Sequence, residues 1–335
     1  MKAITFTEHG LPIEDPRALQ DVNIAAPKPG PRDLLVAVEA VAVNPVDTKV
    51  RAGTFAKEPK ILGWDAAGTV REVGVDVTLF KPGDKVYYAG SLTRDGSYSE
   101  LQVVDERIVG HRPQSLSAAD AAALPLTSIT AWELLFDRLG VTEDGGEGDV
   151  LLVVGAAGGV GSMLVQLARE LTGMTVIGTA SRPQTRDWVK RMGADHVIDH
   201  RQPLLAQLQA LGIAEVSHVA SLTHTEQHLA QLIEVLRPQG RLGVIDDPRS
   251  LDVMPLKLKS LSLHWELMFT RSLFETPDMI NQHHLLNRIA RLIDQGILQT
   301  TVGAHFGAIN AANMRRAHAL VESGQAKGKI VLEGF

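Results

Sequence analysis

Residues 149–171 read DVLLVVGAAGGVGSMLVQLAREL, and this stretch decides the fold. Its apolar run from Val150 to Val154 is typical of a buried strand. The glycine-rich segment from Gly155 to Gly161 follows, and apolar residues at helical spacing come after it. The stretch therefore predicts a strand, a tight turn and a helix, in that order.

The turn has the composition that a dinucleotide-binding turn requires. Such a turn needs a tight bend, a backbone bare enough to touch pyrophosphate, and a helix N-terminus whose free N–H groups favour an anion. The first fingerprint position holds Ala instead of the usual Gly. We predict that a nicotinamide dinucleotide binds through Ala156, Gly158, Gly159, Val160 and Gly161. The alternative is a glycine-rich turn that binds nothing.

The residues after the second strand of this region select the cofactor. NAD enzymes place an acid there, against the ribose 2′-hydroxyl, but this chain has Ser181 and Arg182. A guanidinium suits a 2′-phosphate because it offers forked donors and a permanent positive charge. The sequence therefore predicts NADPH, with His200 and Arg201 as further candidates for the pocket. The alternative for Arg182 is a solvated loop arginine.

The rest of the chain divides into three parts around this motif. Residues 1–125 carry extended stretches separated by turn pairs, which is typical of antiparallel β-structure. In residues 126–270, β-rich runs alternate with helical segments, which indicates βαβ units on a doubly wound parallel sheet. Residues 271–335 hold an amphipathic helix and a β-rich tail that we expect to return to the first part. The predicted fold class is α/β.

Composition excludes several kinds of protein. Asp and Glu outnumber Lys and Arg, 39 to 33, with no basic block, so we expect no nucleic-acid partner. No apolar run reaches the roughly 18 residues of a membrane helix, and the start of the chain lacks the order of a secretory signal, which predicts a cytoplasmic protein. The chain has no cysteine, which excludes disulfides, thiol nucleophiles and cysteine-ligated zinc.

Several segments in a fixed order carry a family resemblance: NPVDTKVRAG, ILGWDAAGTV, GDKVYYAG, PLTSITAWELL, the glycine turn, and the ending AHALVESGQAKGKIVLEGF. Together they resemble the medium-chain dehydrogenase/reductase superfamily, and its zinc-lacking quinone oxidoreductases in particular. The resemblance implies a GroES-like catalytic domain formed by residues 1–125 and 271–335, and a Rossmann NADPH-binding domain at 126–270. It also implies an active site in the cleft between the domains, and a homodimer.

The zinc-using relatives hold their catalytic metal through two motifs that this chain lacks. One is a Cys just before an Asp-like position, which reads Val46-Asp47 here. The other is the His of a Gly-His-Glu turn, which reads Gly63-Trp64-Asp65. The Cys-rich lobe of a structural zinc also has no counterpart. We therefore predict a protein without a metal.

Hydride transfer without a metal favours particular acceptors. A quinone or conjugated enone delocalises the charge that hydride addition creates, so the protein need only position it against the nicotinamide. By resemblance, Asn44 and Asp47 line the cleft, Thr130 touches the carboxamide or the substrate, and Ser221 lies near the cofactor. Each has a structural alternative: an Asx-type turn for Asn44 and Asp47, a helix entry for Thr130, and a strand-end cap for Ser221.

Two other functions remain open at this point. One is a zinc-dependent alcohol dehydrogenase, against which the missing Cys and Trp64 argue. The other is a protein that senses NADPH and catalyses nothing. The spacing of His224 and His228 places both on one helix face, but nothing completes a metal site there. The expected partner is a small quinone or carbonyl substrate.

Overall fold

The computed structural model describes residues 1–53 and 60–335. These residues form two compact units, residues 1–129 with 269–335, and residues 130–268. The first boundary between the units lies after residue 129, where the sequence predicts residue 125. The second lies after residue 268, where the sequence predicts residue 270. Among the described residues, no helix combines the length and the apolar content needed to cross a bilayer.

The elements follow one another in three stretches. The first contains β1 (Lys2–Thr5), β2 (Gln20–Asn23), β3 (Asp33–Val43), α1 (Pro45–Arg51), β4 (Asp65–Val73), β5 (Lys85–Tyr88), β6 (Leu101–Asp105), β7 (Val109–His111), α2 (Ala118–Ala122) and α3 (Pro125–Trp132). The second contains β8 (Val150–Val154), α4 (Gly159–Leu171), β9 (Thr175–Thr179), α5 (Pro183–Arg191), β10 (His196–Ile198), α6 (Leu204–Ala210), β11 (Val216–Ser221), α7 (Thr225–Val235), β12 (Leu236–Val244) and β13 (Ser262–Trp265). The third contains α8 (Thr270–Leu273), α9 (Asn281–Asp294), β14 (Val302–His305), α10 (Ala311–Glu322) and β15 (Lys329–Glu333).

The unit formed by the two ends of the chain is built on a largely antiparallel sheet. Its strand order is β14-β15-β3-β4-β5-β7, and β6 also pairs with β3. The long apolar strand β3 pairs antiparallel with β4, β6 and β15. The predicted return of the C-terminal tail is therefore confirmed. The exception to the antiparallel prediction is β14, which runs parallel to β15.

The middle unit is a six-stranded parallel sheet with the order β10-β9-β8-β11-β12-β13. Every neighbouring pair in it is parallel, and the order reverses at β8, as in a doubly wound dinucleotide-binding fold. The predicted fold class is thus confirmed. The last strand of the sheet, β13, pairs with β12 from Ser262 to Trp265. The pairing of β12 with β11 shifts in register between Val216 and His218.

An apolar core fixes this parallel sheet against two helices on one face. Leu152, Ile177 and Val219 of the strands share a buried cluster with Leu208 of α6 and Leu232 of α7. Burying such a side chain stabilises the fold by roughly 1.5–3 kcal/mol. Because the strands are parallel, their carboxyl ends share one edge, which carries residues 155–161, 180–182 and 221–225.

Candidate functional site

The glycine turn joins β8 to α4. At two of its positions the backbone leaves room for glycine only. Gly155 has φ +83°, in the left-handed region. At Gly161 an added Cβ would lie 2.5 Å from the Gly155 carbonyl oxygen and 2.6 Å from the Ala156 Cα. Gly158 is the N-cap of α4, and its amide donates to the Gly155 carbonyl at 3.1 Å. The first turn of α4 therefore follows directly on β8, with its unpaired amides at the carboxyl edge of the sheet.

The structure explains the alanine that departs from the usual fingerprint. Ala156 is fully buried, and a Cβ added at Gly178 of β9 would lie 2.9 Å from its methyl group. The Ala156 methyl therefore occupies space that Gly178 leaves free. The half-buried residues Gly159 and Val160 form the first turn of α4. All five turn residues predicted to bind the cofactor thus lie together at one helix N-terminus.

Ser181 and Arg182 lie in the short segment between β9 and α5. The backbone of Arg182 begins α5, and the Thr185 hydroxyl donates to its carbonyl at 2.9 Å. The Arg182 side chain is exposed. Arg186 holds this segment by donating to the Ala180 carbonyl at 3.2 Å and to the Val197 carbonyl at 2.9 Å. The segment therefore has a fixed backbone and presents a hydroxyl and a guanidinium.

His200 and Arg201 follow β10 on the same edge. Arg201 donates to the Ser181 carbonyl at 3.1 Å and pairs with Asp199 at 2.8 Å. This guanidinium lowers the pKa of Asp199 to about 2. The Arg201 guanidinium is thus already paired with a half-buried carboxylate. His200 is half-buried, which lowers its pKa, so it is present as the neutral imidazole at pH 7.

The prediction that His224 and His228 share one helix face is wrong. His224 precedes α7 with φ +54°, and its Nδ1 lies 2.7 Å from the Thr223 hydroxyl. His228 lies on the helix, with its ring centroid 6.0 Å from that of His200. The left-handed residue turns the chain before the helix begins, which sequence spacing alone did not reveal.

Ser221 ends β11 inside a buried polar network. Its hydroxyl lies 2.7 Å from that of Thr225, the first residue of α7. The Thr225 amide donates to Asp246 at 2.9 Å, and its hydroxyl donates to the other oxygen of the same carboxylate. Asp246 was not predicted, although an acid just after the apolar end of β12 is a recognisable signal. The network fixes the start of α7 beside the carboxyl end of β11.

In the other unit, Asn44 belongs to a buried network around Asp65. Lys329 of β15 pairs with Asp65 Oδ2 at 2.9 Å, and Asn44 Nδ2 donates to the same oxygen at 2.8 Å. The Lys329 ammonium also donates to Asn44 Oδ1. Asp65 Oδ1 accepts from the Leu126 amide at 2.8 Å. Both the oxygen and the nitrogen of the Asn44 side-chain amide thus form hydrogen bonds within the protein.

Asp47 is fully buried next to this network. One of its oxygens accepts from the Asn44 amide at 2.5 Å, across the first turn of α1. The Asp47 carboxylate thus stabilises the turn that begins α1, which is a structural role, although the bond runs back three residues and is not an Asx turn. Burial raises the pKa of Asp47 to about 7, partly offset by the Asn44 and Gly63 amides and by the charge of Lys329.

Tyr98 is a neighbour of Asp47 and also contacts His318. The Tyr98 hydroxyl lies 3.2 Å from His318 Nε2, and both residues are fully buried. Burial raises the pKa of Tyr98 and lowers that of His318 to about 3. Gly63, with φ +99°, makes room for Tyr98, because a Cβ there would lie 2.4 Å from the ring. Sequence reasoning missed Lys329, Tyr98 and His318. A lysine directly before the apolar residues of KIVLE is a signal that could have indicated Lys329.

The pKa of Asp47 predicts a pH effect on stability. The folded state holds this proton up to about pH 7, whereas an unfolded aspartate releases it near pH 3.9. The folded state therefore binds more protons between these pH values, and this group lowers stability as pH rises. We expect Asp47→Asn to gain up to about 4 kcal/mol relative to wild type between pH 4 and pH 8. Urea unfolding at both pH values checks this, with the exposed Asp76→Asn as baseline; a pH-independent difference contradicts it.

Thr130 lies in the last turn of α3, which begins at Pro125. The alternative that Thr130 is a helix-entry residue is therefore wrong. Its side chain is buried. The binding role that the resemblance implies for Thr130 stays a prediction.

The two positions that hold zinc in metal-using relatives do not fit a zinc ion. Trp64 is fully buried, and its Nε1, which has no lone pair to offer a metal, donates to the Ser91 carbonyl at 3.0 Å. Val46 has no ligand atom. The neighbouring Asp65 carboxylate is already paired with the Lys329 ammonium. Within residues 1–53 and 60–335, no group of three or more His, Asp or Glu is placed to hold a metal.

Comparisons with known proteins agree with this architecture. Residues 30–114 match the alcohol dehydrogenase GroES-like domain, and residues 192–332 match the zinc-binding dehydrogenase family. A zinc-type alcohol dehydrogenase-like protein of Staphylococcus aureus is 39% identical over 335 residues, 99% of each chain. The chain belongs to the medium-chain dehydrogenase/reductase superfamily. It is an oxidoreductase of that superfamily, and the predicted GroES-like and Rossmann-type architecture is confirmed.

Solved structures of this superfamily carry two kinds of description. A Rhizobium etli CFN 42 protein, described provisionally as a zinc-dependent alcohol dehydrogenase, is 53% identical with a TM-score of 0.95, covering 100% of this chain and 98% of its own. The Escherichia coli quinone oxidoreductase complexed with NADPH is 26% identical with a TM-score of 0.84, covering 99% and 100%. The chain thus resembles both a zinc-dependent dehydrogenase and a quinone oxidoreductase.

Proposed function

We propose that this superfamily member binds NADPH at the turn from Ala156 to Gly161 and transfers its hydride to a quinone, conjugated enone or activated carbonyl without a metal. The observation that carries the proposal is the close approach of β8 and α4 at Gly161, where no side chain fits. That geometry leaves the helix N-terminus bare, as a pyrophosphate requires. The E. coli quinone oxidoreductase, with a similar fold, was solved with NADPH.

NADPH rather than NADH is proposed from the charge at the end of β9. A 2′-phosphate gains charge-assisted hydrogen bonds from a guanidinium and is repelled by a carboxylate. Ser181 and Arg182 supply the hydroxyl and the guanidinium. His200 contributes a neutral imidazole beside them, because burial lowers its pKa. Arg201 contributes less, since Asp199 already pairs with it.

When bound, NADPH supplies the hydride, and the acceptor also takes up one proton. A quinone or enone spreads the resulting negative charge over its own π-system, so hydrogen-bond donors and positioning suffice. Asn44 and Asp47 are proposed to shape the substrate side by fixing the loop before α1, and Thr130 and Ser221 to orient the cofactor. Hydrogen bonds within the protein hold the side chains of Asn44, Asp47 and Ser221.

The zinc-dependent alternative is favoured by the descriptions of the S. aureus and R. etli proteins. The donor set in this chain opposes it. Trp64 has an indole where the zinc-using relatives have a ligand histidine. The neighbouring Asp65 carboxylate is paired with the Lys329 ammonium. A divalent metal there lacks both ligands and charge balance.

The test measures NADPH oxidation with a panel of para-quinones and conjugated enones, with and without EDTA, together with metal analysis of the purified protein. We expect turnover that EDTA leaves unchanged, and no stoichiometric zinc. Zinc at one per chain with EDTA-sensitive turnover overturns the metal-free mechanism. If the protein binds NADPH but turns over no acceptor of the panel, the result supports the alternative of a protein that senses NADPH and catalyses nothing.

In the same experiment, Arg182→Ala tests the choice of cofactor. We expect NADPH affinity to fall roughly tenfold to a hundredfold, the effect of one charge-assisted hydrogen bond, with NADH affinity unchanged. The matched control is Arg191→Ala, an exposed arginine at the end of α5 that stacks on Trp188. Survival of the NADPH preference in Arg182→Ala contradicts the proposed 2′-phosphate contact.

A further inference from the structure

A cavity of about 600 Å³ lies in the middle unit, at the edge of the parallel sheet opposite the glycine turn. It opens where β8 and β11 begin, and its lining includes Asp149, Ser217, His218, Arg237 and Arg241. The glycine turn lies beyond the other end of β8, roughly 13 Å along a strand of this length. This volume falls in the range of small-molecule sites, roughly 300–1,000 Å³. The proposed function does not use this cavity.

His218 is the most buried ionisable side chain in the lining. It is only 6% exposed, although it lines the cavity. Its Nδ1 lies 2.8 Å from the Ser217 hydroxyl, which also exchanges hydrogen bonds with the backbone of Val150. Its Nε2 makes no hydrogen bond to any residue that the structure describes. An imidazole nitrogen that has no protein partner and belongs to the wall of a cavity is a position that a ligand can contact.

The charges around His218 favour an anion. Arg241 lines the cavity and is anchored by a hydrogen bond from its guanidinium to the Leu139 carbonyl. Arg237 pairs with Asp149 at 2.9 Å and is about half exposed. The lining thus combines two guanidiniums with one carboxylate, an excess of positive charge.

We propose that this cavity binds a small organic anion through a phosphate or carboxylate group, held by His218, Arg241 and Arg237. Guanidinium groups pair with both kinds of oxyanion through two parallel N–H donors. His218 Nε2 supplies a third donor when the imidazole is protonated. The remaining volume accommodates an organic group larger than inorganic phosphate. The site is therefore separate from the cofactor site and binds a second class of small molecule.

Anion binding is expected to change the protonation of His218. Without an anion, burial lowers the pKa of His218 to about 4, and Arg241, Arg237 and His264 lower it further while Asp149 opposes them. An anion at Nε2 favours the charged imidazole, so binding raises this pKa. Binding therefore takes up protons and strengthens as pH falls from 7 to 5.

The test follows the His218 ring signal by NMR in the full-length chain, during titration with inorganic phosphate and with citrate. Sodium chloride at matched ionic strength is the baseline. We expect a saturable shift of the His218 signal and a rise in its titration midpoint. The phosphate and citrate arms distinguish a phosphoryl ligand from a carboxylate ligand. Because the signal belongs to His218, phosphate bound at the glycine turn does not imitate the result.

Arg241→Gln is expected to weaken the binding at least about tenfold, as removal of a charge-assisted hydrogen bond does. Arg237→Gln, at a half-exposed position, serves as the second variant if Arg241→Gln fails to fold. The matched control is Arg169→Gln, because Arg169 is also about half exposed and pairs with Asp195 at 2.8 Å. The proposal is overturned if neither anion gives a saturable His218 shift, or if the folded cavity variants bind as tightly as Arg169→Gln.

Discussion

Lys329→Met is expected to lower the free energy of unfolding by about 3–5 kcal/mol. The substitution leaves Asp65 as a buried carboxylate without its ammonium partner, because Lys329 Nζ lies 2.9 Å from Asp65 Oδ2 and both side chains are at most 4% exposed. The hydrogen bonds from Asn44 and Leu126 remain but do not neutralise the charge. Urea unfolding at pH 7 measures the loss, with the exposed Lys85→Met as control.

A double-mutant cycle distinguishes the ion pair from lost packing. Lys329→Met combined with Asp65→Asn removes both charges, so the double variant should lose at least about 2 kcal/mol less than the sum of the single variants. Near-additive losses would show that Lys329 stabilises the fold through its aliphatic chain alone. In that case the network would carry no charge coupling, and Lys329 would not keep a metal from Asp65.

Local patterns made the parallel sheet predictable. The run that became β8 is apolar throughout, and those that became β9 and β11 contain only small polar residues apart from His218, which suits strands buried on both faces. The turn between Asn44 and Asp47 was also predictable, because its hydrogen bond joins residues three positions apart. The length of β12 was not, since it includes Pro238, a residue that sequence rules place outside strands.

Contacts between distant segments were beyond the reach of the sequence. Lys329 and Asn44 stand 285 positions apart, and only the pairing of β15 with β3 brings them together. The same holds for Ala156, whose methyl group fits because Gly178 of the neighbouring strand has no side chain. Sequence spacing records the period of one element, whereas these residues meet through the register between elements.

Gly161→Ala is expected to damage both the fold and the proposed cofactor site. The new Cβ would lie 2.5 Å from the Gly155 carbonyl oxygen and 2.6 Å from the Ala156 Cα, and backbone atoms cannot move aside as a flexible side chain can. Relief requires α4 to move away from β8, at a cost of about 1–3 kcal/mol in unfolding free energy. The displaced helix N-terminus should also bind NADPH at least about tenfold more weakly. Urea unfolding and equilibrium NADPH binding measure the two effects.

Gly158→Ala separates these two effects. A Cβ at Gly158 would lie 3.5 Å from the Gly155 carbonyl oxygen, an ordinary contact, and its φ of −75° suits any residue. The fold should therefore keep its stability, while the methyl group blocks the approach of a pyrophosphate to the turn. Equal NADPH affinity in wild type and Gly158→Ala would place the dinucleotide elsewhere. If a phosphate lies against this turn, Gly158→Ala should lose NADPH affinity and keep its stability. Gly161→Ala should lose both.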